Sequence, residues 1–145
     1  MTSPMSRFRK KPMKVFLSHS YADIRMARQI RNVLRNCGFD VKMHEDLGFG
    51  ESSLQQLRDE IEACDMFVPL ITPDSVHDSW LLQETGAAWG LYKPILPVVT
   101  RRDTLNEFPI AISRHVALQP GDLNKKETAE RFARDIEEAL AAPHA

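Results

Sequence analysis

The sequence predicts an α/β fold, a flavodoxin-like five-stranded parallel sheet of order 2-1-3-4-5 with helices on both faces. Five short β-rich runs alternate, for the most part, with apolar stripes of helical spacing, which is typical of right-handed βαβ units. The third run, residues 66–72, is almost continuously apolar, as expected for a central parallel strand that is buried on both faces. In this strand order the ligand cleft lies at the carboxyl ends of strands 1 and 3.

The individual elements follow from composition and spacing. The predicted strands cover residues 14–18, 39–43, 66–72, 94–99 and 113–118. One helical stripe comprises Met26, Ile30, Val33 and Cys37 and ends at Gly38. A second comprises Leu54, Leu57, Ile61 and Cys64 and opens on the capping-box pair Ser53 and Gln56. A third helix covers 79–91, and the last carries Ala129, Phe132, Ala133, Ile136 and Leu140 after Asn124 and Glu127. Residues 101–111 have an irregular pattern, with Thr104 predicted as a cap and Pro109 as a breaker.

Composition restricts the class of protein. The chain has 145 residues, 43% of them hydrophobic and 27% charged, which suits one globular domain. The formal net charge of −1 gives no electrostatic footprint for nucleic acid. No apolar run approaches the roughly 20 residues of a membrane span, and no signal-peptide core is present. Cys37 and Cys64 are interpreted as reduced core thiols, so we expect a cytoplasmic protein.

A cluster of basic residues lies at the start of the chain: Arg7, Arg9, Lys10, Lys11 and Lys14. Residues 1–13 are interpreted as a disordered, solubilising arm, with contact to a membrane or nucleic acid as the less favoured alternative. Residues 14–142 then form the folded domain. Neither internal repeats nor a linker divide it.

Three polar loops are predicted to meet at one edge of the sheet. "SHSYAD" (18–23) follows strand 1, "HEDLGFGES" (44–52) follows strand 2, and "TPDSVHDSW" (72–80) follows strand 3. Glu84 lies just beyond the last of these loops, in a helix that is otherwise mostly apolar, with Trp80 and Ala88 four residues to either side. Because desolvating a carboxylate is costly, Glu84 needs a partner or a function. The alternative is a structural carboxylate that is stabilised near a helix N-terminus.

Other chemistries fit the sequence poorly. The five histidines show no metal-ligand spacing, and there is no CxxC pair, so we expect no metal site. "GFGESS" lacks the third glycine of a dinucleotide-binding loop and follows the wrong strand. A phosphorylated receiver domain needs an acidic pair directly after strand 1 and an aspartate at the end of strand 3. Here strand 1 ends in Ser18-His19-Ser20 and strand 3 ends in Ile71-Thr72-Pro73. A hydrolase built on Ser18 and His19 has no nucleophile elbow.

Four segments in order resemble a Toll/interleukin-1 receptor (TIR) domain of the bacterial, NAD-cleaving type. They are "VFLSHSYAD" (15–23), "DLGFG" (46–50), "CDMFVPLITPDSVHDSW" (64–80) and the WxxxE element Trp80–Glu84 with the following "GAAWGLYKPILPV" (86–98). The resemblance spans residues 14 to about 140. It implies the same sheet order.

The resemblance also implies an activity and a site. Enzymatic members cleave NAD+ at the nicotinamide–ribose bond, and their catalytic glutamate corresponds to Glu84. By the same resemblance, Trp80 stacks a flat ring, Ser18, His19 and Ser20 line the nicotinamide end, and Asp46 and Leu47 also contact substrate. The products are nicotinamide and ADP-ribose or a cyclic isomer. NAD+ is a substrate, so no cofactor is expected.

A bacterial enzyme of this kind acts in defence against phage or as an effector. The competing hypothesis is a non-catalytic TIR–TIR interaction module. In either case the resemblance implies self-association through residues 44–52, and a separate sensor or effector protein is an expected partner. The second loop lacks the proline of many animal receptor and adaptor members, which argues against that branch. No accessory domain accompanies the fold, so its activator is separate or the chain is a domain of something longer.

Overall fold

The five predicted strands form one parallel sheet of order β2-β1-β3-β4-β5 in the computed structural model, which describes residues 12–47, 52–112, 114–119 and 121–141. The strands are β1 (Lys14–Ser18), β2 (Asp40–Lys42), β3 (Met66–Ile71), β4 (Val98–Val99) and β5 (Val116–Ala117). The fold class and strand order are therefore confirmed. The fourth strand is much shorter than predicted, because Pro94 and Pro97 supply no backbone N–H to a ladder. Only an isolated bridge between Phe67 and Ile95 extends the pairing on that side.

In the described ranges, four α-helices pack on the sheet at the predicted places. They are α1 (Ile24–Asn36), α2 (Ser52–Ala63), α3 (Ser79–Gly90) and α4 (Lys126–Ala141). Between β4 and β5 the chain forms a 3-10 helix, Arg102–Glu107. The prediction that Thr104 caps this segment is wrong, because Arg101 precedes the helix and Thr104 is buried inside its first turn, where its N–H donates to the Arg101 carbonyl. Among the described residues, no helix is long and apolar enough to cross a membrane.

The end of α1 follows a Schellman motif. Gly38 has a φ of +95°, as expected for the predicted residue just beyond the helix. Its N–H donates to the Arg35 carbonyl and the N–H of Phe39 donates to the Leu34 carbonyl, which are the two bonds of the motif. The buried face of α1 differs from the predicted stripe, since Ala27, Ile30 and Leu34 are the buried residues and Met26 and Val33 lie at its margin.

Two apolar layers cover the sheet. Val15 and Leu17 of β1 pack with α1 and α4 on one face, whereas Phe16 points to the other face and stacks on Phe67 with ring centroids 5.8 Å apart. On that second face α2 and α3 lie side by side and contribute Leu57, Ile61 and Ala88. Cys64 is buried there too, and burial raises the pKa of its thiol to about 11. Because α2 and α3 cover one face together, the space between them becomes a groove that begins at the carboxyl edge of the sheet.

We expect Gly38→Ala to lower the free energy of unfolding by about 1 kcal/mol, because an L-residue is strained at a positive φ. Gly90→Ala is the matched control, since Gly90 ends α3 without a positive φ and an added Cβ would meet open space. Chemical denaturation monitored by circular dichroism measures both variants. Equal stabilities for the two would contradict this account of the α1 terminus.

Candidate functional site

Hydrogen bonds join the first and third polar loops at the carboxyl edge of the sheet. The Ser18 hydroxyl, at the end of β1, donates to Oε1 of Glu84 in α3 over 2.6 Å. The Thr72 hydroxyl, just after β3, donates to Oδ2 of Asp23 over 2.7 Å. Ser20 Oγ donates to the same carboxylate oxygen over 3.2 Å. The prediction that these two loops meet at one edge is confirmed, and the contacts are buried side chain to side chain.

The second loop reaches the same edge through apolar and aromatic contacts. Leu47 packs into the core cluster that contains Phe16, Leu57 and Ala88, and Trp80 packs against that cluster as well. The His44 imidazole meets the Trp80 indole edge-on, with ring centroids 5.1 Å apart and an interplanar angle of 77°. Of this loop, residues 48–51 lie outside the described residues.

The start of α3 fixes the direction of the helix that carries the candidate carboxyl. Asp78 is its N-cap, and its side chain accepts the N–H of Leu81 over 2.8 Å. From this start, Trp80 lies in the first turn, half-buried, and Glu84 lies one turn further along the same face. The cap was not singled out from the sequence, although an aspartate immediately before an apolar helix is its usual signal.

Glu84 combines deep burial with a raised pKa. The residue is only 3% exposed, Ser18 donates a hydrogen bond to Oε1, and Oε2 is buried without a hydrogen-bond partner among the described residues. Burial raises the pKa of Glu84 to about 7, the hydrogen bond from Ser18 opposes that rise, and the nearby Asp78 carboxylate adds to it. A carboxyl near half-ionisation at neutral pH, with one free oxygen, is suited to interact with a bound hydroxyl or a developing positive charge.

Glu84 is also one of the residues that line a groove of about 390 Å³ between α2 and α3. The groove is lined mainly by apolar side chains, with a few polar ones: Leu54, Leu57, Arg58, Ile61, Trp80, Gln83, Glu84, Ala87 and Leu91. A second cavity, of about 660 Å³, lies beside the 3-10 helix that follows β4, and Glu84 is not among its lining residues. We assign the candidate site to the smaller groove, because only that one combines an apolar wall with a buried ionisable group.

Ser18, His19 and Ser20, which were predicted to line the nicotinamide end, are not among the lining residues of the groove. Ser20 is buried, and its hydroxyl is committed to Asp23. The half-buried His19 ring places Nδ1 2.8 Å from the Ser20 carbonyl, so this nitrogen donates in the tautomer that forms the bond. Nε2 of His19 is buried without a described partner. Of the three residues after strand 1 that were predicted to line the site, Ser18 alone contacts Glu84.

Asp46 occupies a different environment from Leu47. Its Oδ2 accepts the Met43 N–H over 2.8 Å and lies 3.3 Å from Arg35, and its other oxygen lies 3.5 Å from Arg31. The neighbouring Glu45 pairs with Arg28 and Arg31 at 2.7 Å each, and the hydrogen bond from Arg28 is the main cause that lowers the pKa of Glu45 to about 2. Asp46 therefore joins a charged cluster on α1, away from the groove.

No group of three or more His, Cys, Asp or Glu side chains in the described region has the arrangement of a metal site. The residues that sequence reasoning did not single out are Asp23, Thr72, Asp78 and Arg58. All but Arg58 are polar residues within the predicted loops, where nothing in the pattern showed which of them would become buried and paired.

Comparison with known proteins places the chain among TIR domains. The family profile described as TIR domain matches residues 15–140. No functionally curated protein matches the sequence. The crystal structure of the TIR domain of the Toll-related receptor TRR-2 from Hydra magnipapillata is similar with a TM-score of 0.64, at 15% identity, over 88% of this chain and 98% of that one.

Two structures of other proteins share the fold. The CMP N-glycosidase BcmB from Clostridium botulinum is similar with a TM-score of 0.52, at 15% identity, over 86% of this chain and 98% of that one. A putative quinone reductase from Klebsiella pneumoniae gives a TM-score of 0.52, at 10% identity, over 90% and 86% of the two chains. At these identities the likeness concerns the fold alone.

The burial of Glu84 predicts a pH-dependent effect of Glu84→Gln on stability. Its pKa is raised from 4.5 to about 7 by folding, so its contribution to stability is fully present below pH 4.5 and is lost as pH rises through 7. Relative to the parent, Glu84→Gln should therefore gain stability between pH 5 and pH 8, by at most about 3 kcal/mol.

Urea denaturation at several pH values measures this difference. Glu62→Gln is the control, because Glu62 is exposed on α2 and loses no buried charge. Parallel stability profiles for the parent and Glu84→Gln would show that Glu84 is solvated and would contradict the geometry described above.

Proposed function

The chain belongs to the TIR domain family, and from that premise we propose that it is an NAD+ nucleosidase that cleaves the nicotinamide–ribose bond. The observation that carries the proposal is Glu84, a buried carboxyl with one oxygen held by Ser18 and the other free, in a groove beside an indole. In this proposal the enzyme is of the bacterial type and serves defence signalling or acts as an effector.

The reaction needs little from the protein beyond one well-placed carboxylate. When the bond between ribose C1′ and the pyridinium nitrogen breaks, the nitrogen takes the bonding electron pair and nicotinamide leaves as a neutral molecule. No general acid is required for this step. Positive charge develops on the ribose, as in the oxocarbenium-like transition states of glycoside hydrolysis. A carboxylate in a desolvated groove stabilises that charge strongly, because the surrounding dielectric is low.

Ser18 and Trp80 would have two further roles, orientation of the carboxyl and stacking of a substrate ring. The Ser18 hydroxyl orients the carboxyl by holding Oε1, which leaves Oε2 for the ribose hydroxyls. The half-buried Trp80 offers an aromatic face for a flat ring of the dinucleotide. Water then attacks C1′ and loses a proton to Glu84, which gives ADP-ribose. Attack by an adenine or ribose atom of the same molecule gives a cyclic isomer instead.

CMP is a useful control substrate, since a protein of this fold is described as a CMP N-glycosidase. Cytosine leaves CMP without a positive charge, so its departure requires a proton from a general acid. Among the described residues that line the groove, Glu84 is the sole carboxyl, and it cannot be an acid and an anionic stabiliser at the same time. The single carboxyl therefore favours NAD+ over CMP.

A TIR–TIR interaction module is the second candidate, and exposed apolar side chains favour it. Leu54 on α2, Trp89 on α3 and Tyr92 just after α3 are 66%, 64% and 94% exposed. Self-association is also compatible with catalysis, and we propose residues 44–52 as part of the contact. The central residues of that segment lie outside the described ones.

We expect Glu84→Gln to lower kcat/KM for nicotinamide release from NAD+ by at least about 100-fold, because the amide keeps the shape of the side chain but removes its charge. Release is measured by liquid chromatography, with CMP as the control substrate and Glu62→Gln as the control variant. Unchanged folding of both variants is checked by circular dichroism.

A Glu84→Gln protein with near-parental turnover of NAD+ would contradict the catalytic role of Glu84. No nicotinamide release by the parent, at any protein concentration, would favour the interaction module.

A further inference from the structure

The groove that contains Glu84 also contains one cationic side chain that the proposed reaction does not use. Arg58 lies on α2, across from α3, and lines the groove together with Trp80 and Glu84. It is exposed, and no hydrogen bond or ion pair joins it to another described residue. The other described groove-lining residues are apolar, apart from Gln83 and Glu84.

Three of the four arginines of α1 provide a contrast within the same structure. Arg28, Arg31 and Arg35 are all paired with the carboxylates of Glu45 and Asp46. Their positive charge is compensated locally. Arg58 has no such partner among the described residues, so its guanidinium remains available to an anion that enters the groove.

We propose that Arg58 is a specificity-determining residue that binds the diphosphate of the substrate, an inference that rests on the proposed NAD+ cleavage. When C1′ of the nicotinamide ribose lies at Glu84, the diphosphate is attached to the opposite side of the same ribose. A guanidinium presents paired N–H donors that match two phosphate oxygens. Arg58 therefore selects for nicotinamide dinucleotides over ribosides that carry the same scissile bond but no phosphate.

A different role for Arg58 is to cover the apolar wall of the groove with its aliphatic stem. The two roles have different consequences. Arg58→Met keeps most of the stem and removes the charge, whereas Arg58→Lys keeps the charge but loses the paired donors. Arg134→Met, on the exposed side of α4 and away from the groove, is the matched control for loss of one positive charge.

The experiment measures kcat/KM for nicotinamide release from NAD+ and from nicotinamide riboside by the parent protein and these variants. Arg58→Met should lower kcat/KM for NAD+ by about 10- to 100-fold, the range for a lost hydrogen bond to a charged group. It should leave nicotinamide riboside within about twofold of the parent, and Arg58→Lys should lie between. Arg134→Met should match the parent on both substrates.

A binding measurement separates this inference from the activity itself. Calorimetry with the Glu84→Gln protein should show that ADP-ribose binds at least about 10-fold more tightly than adenosine. In the double variant that also carries Arg58→Met, the two affinities should be equal. Equal loss of kcat/KM on both substrates, or no loss on either, would overturn the role of Arg58 while leaving NAD+ cleavage intact. Absence of turnover by the parent would overturn the proposed function. In that case an ADP-ribose affinity that is unchanged by Arg58→Met would separately overturn the role of Arg58.

Discussion

The hydrogen bond between Ser18 and Glu84 connects the end of the central strand pair to the helix that covers it. A carboxyl with 3% exposure is stable in this setting only if it is neutral or has a partner, and Ser18 satisfies just one of its two oxygens. The position of α3 is fixed independently by the Asp78 cap and by packing on the sheet. Thus the fold, rather than the stability of the site itself, holds Glu84 in a desolvated place.

The parallel sheet explains why the necessary groups converge. β1 and β3 are adjacent, so the residues after each strand begin at the same edge, and there Asp23 bonds to Thr72 while Ser18 bonds to Glu84. The first contact joins the segments that follow β1 and β3, and the second joins the end of β1 to α3. The second loop completes the edge, since Leu47 and His44 pack near or against Trp80. A preorganised edge of this kind lets a single carboxyl act in a fixed orientation.

Much of this arrangement follows from the sequence, because sheet order and loop placement depend on local patterns. The apolar run of β3 and the carboxylate within an otherwise apolar α3 both stand out without any knowledge of contacts. What did not follow depends on pairing between distant residues. Asp46 was expected to face the substrate. In the structure it pairs instead with Arg31 and Arg35 of α1. A pattern of exposed charges in the sequence does not identify these two arginines as its partners. Likewise, the length of β4 depends on Pro94 and Pro97. Their effect can be predicted only when the hydrogen-bonding pattern with the neighbouring strand is known.

The central claim is that Glu84 acts as a carboxylate in a desolvated groove. The most direct test combines the pH profile of kcat/KM for nicotinamide release from NAD+ with a carbon-13 NMR titration of the Glu84 carboxyl. Because the charged form is required and burial raises the pKa to about 7, kcat/KM should rise with pH through a midpoint near 7, and the NMR titration should share that midpoint. Activity that is flat between pH 5 and pH 8, or a Glu84 carboxyl that titrates near the ordinary value of 4.5, would contradict the account.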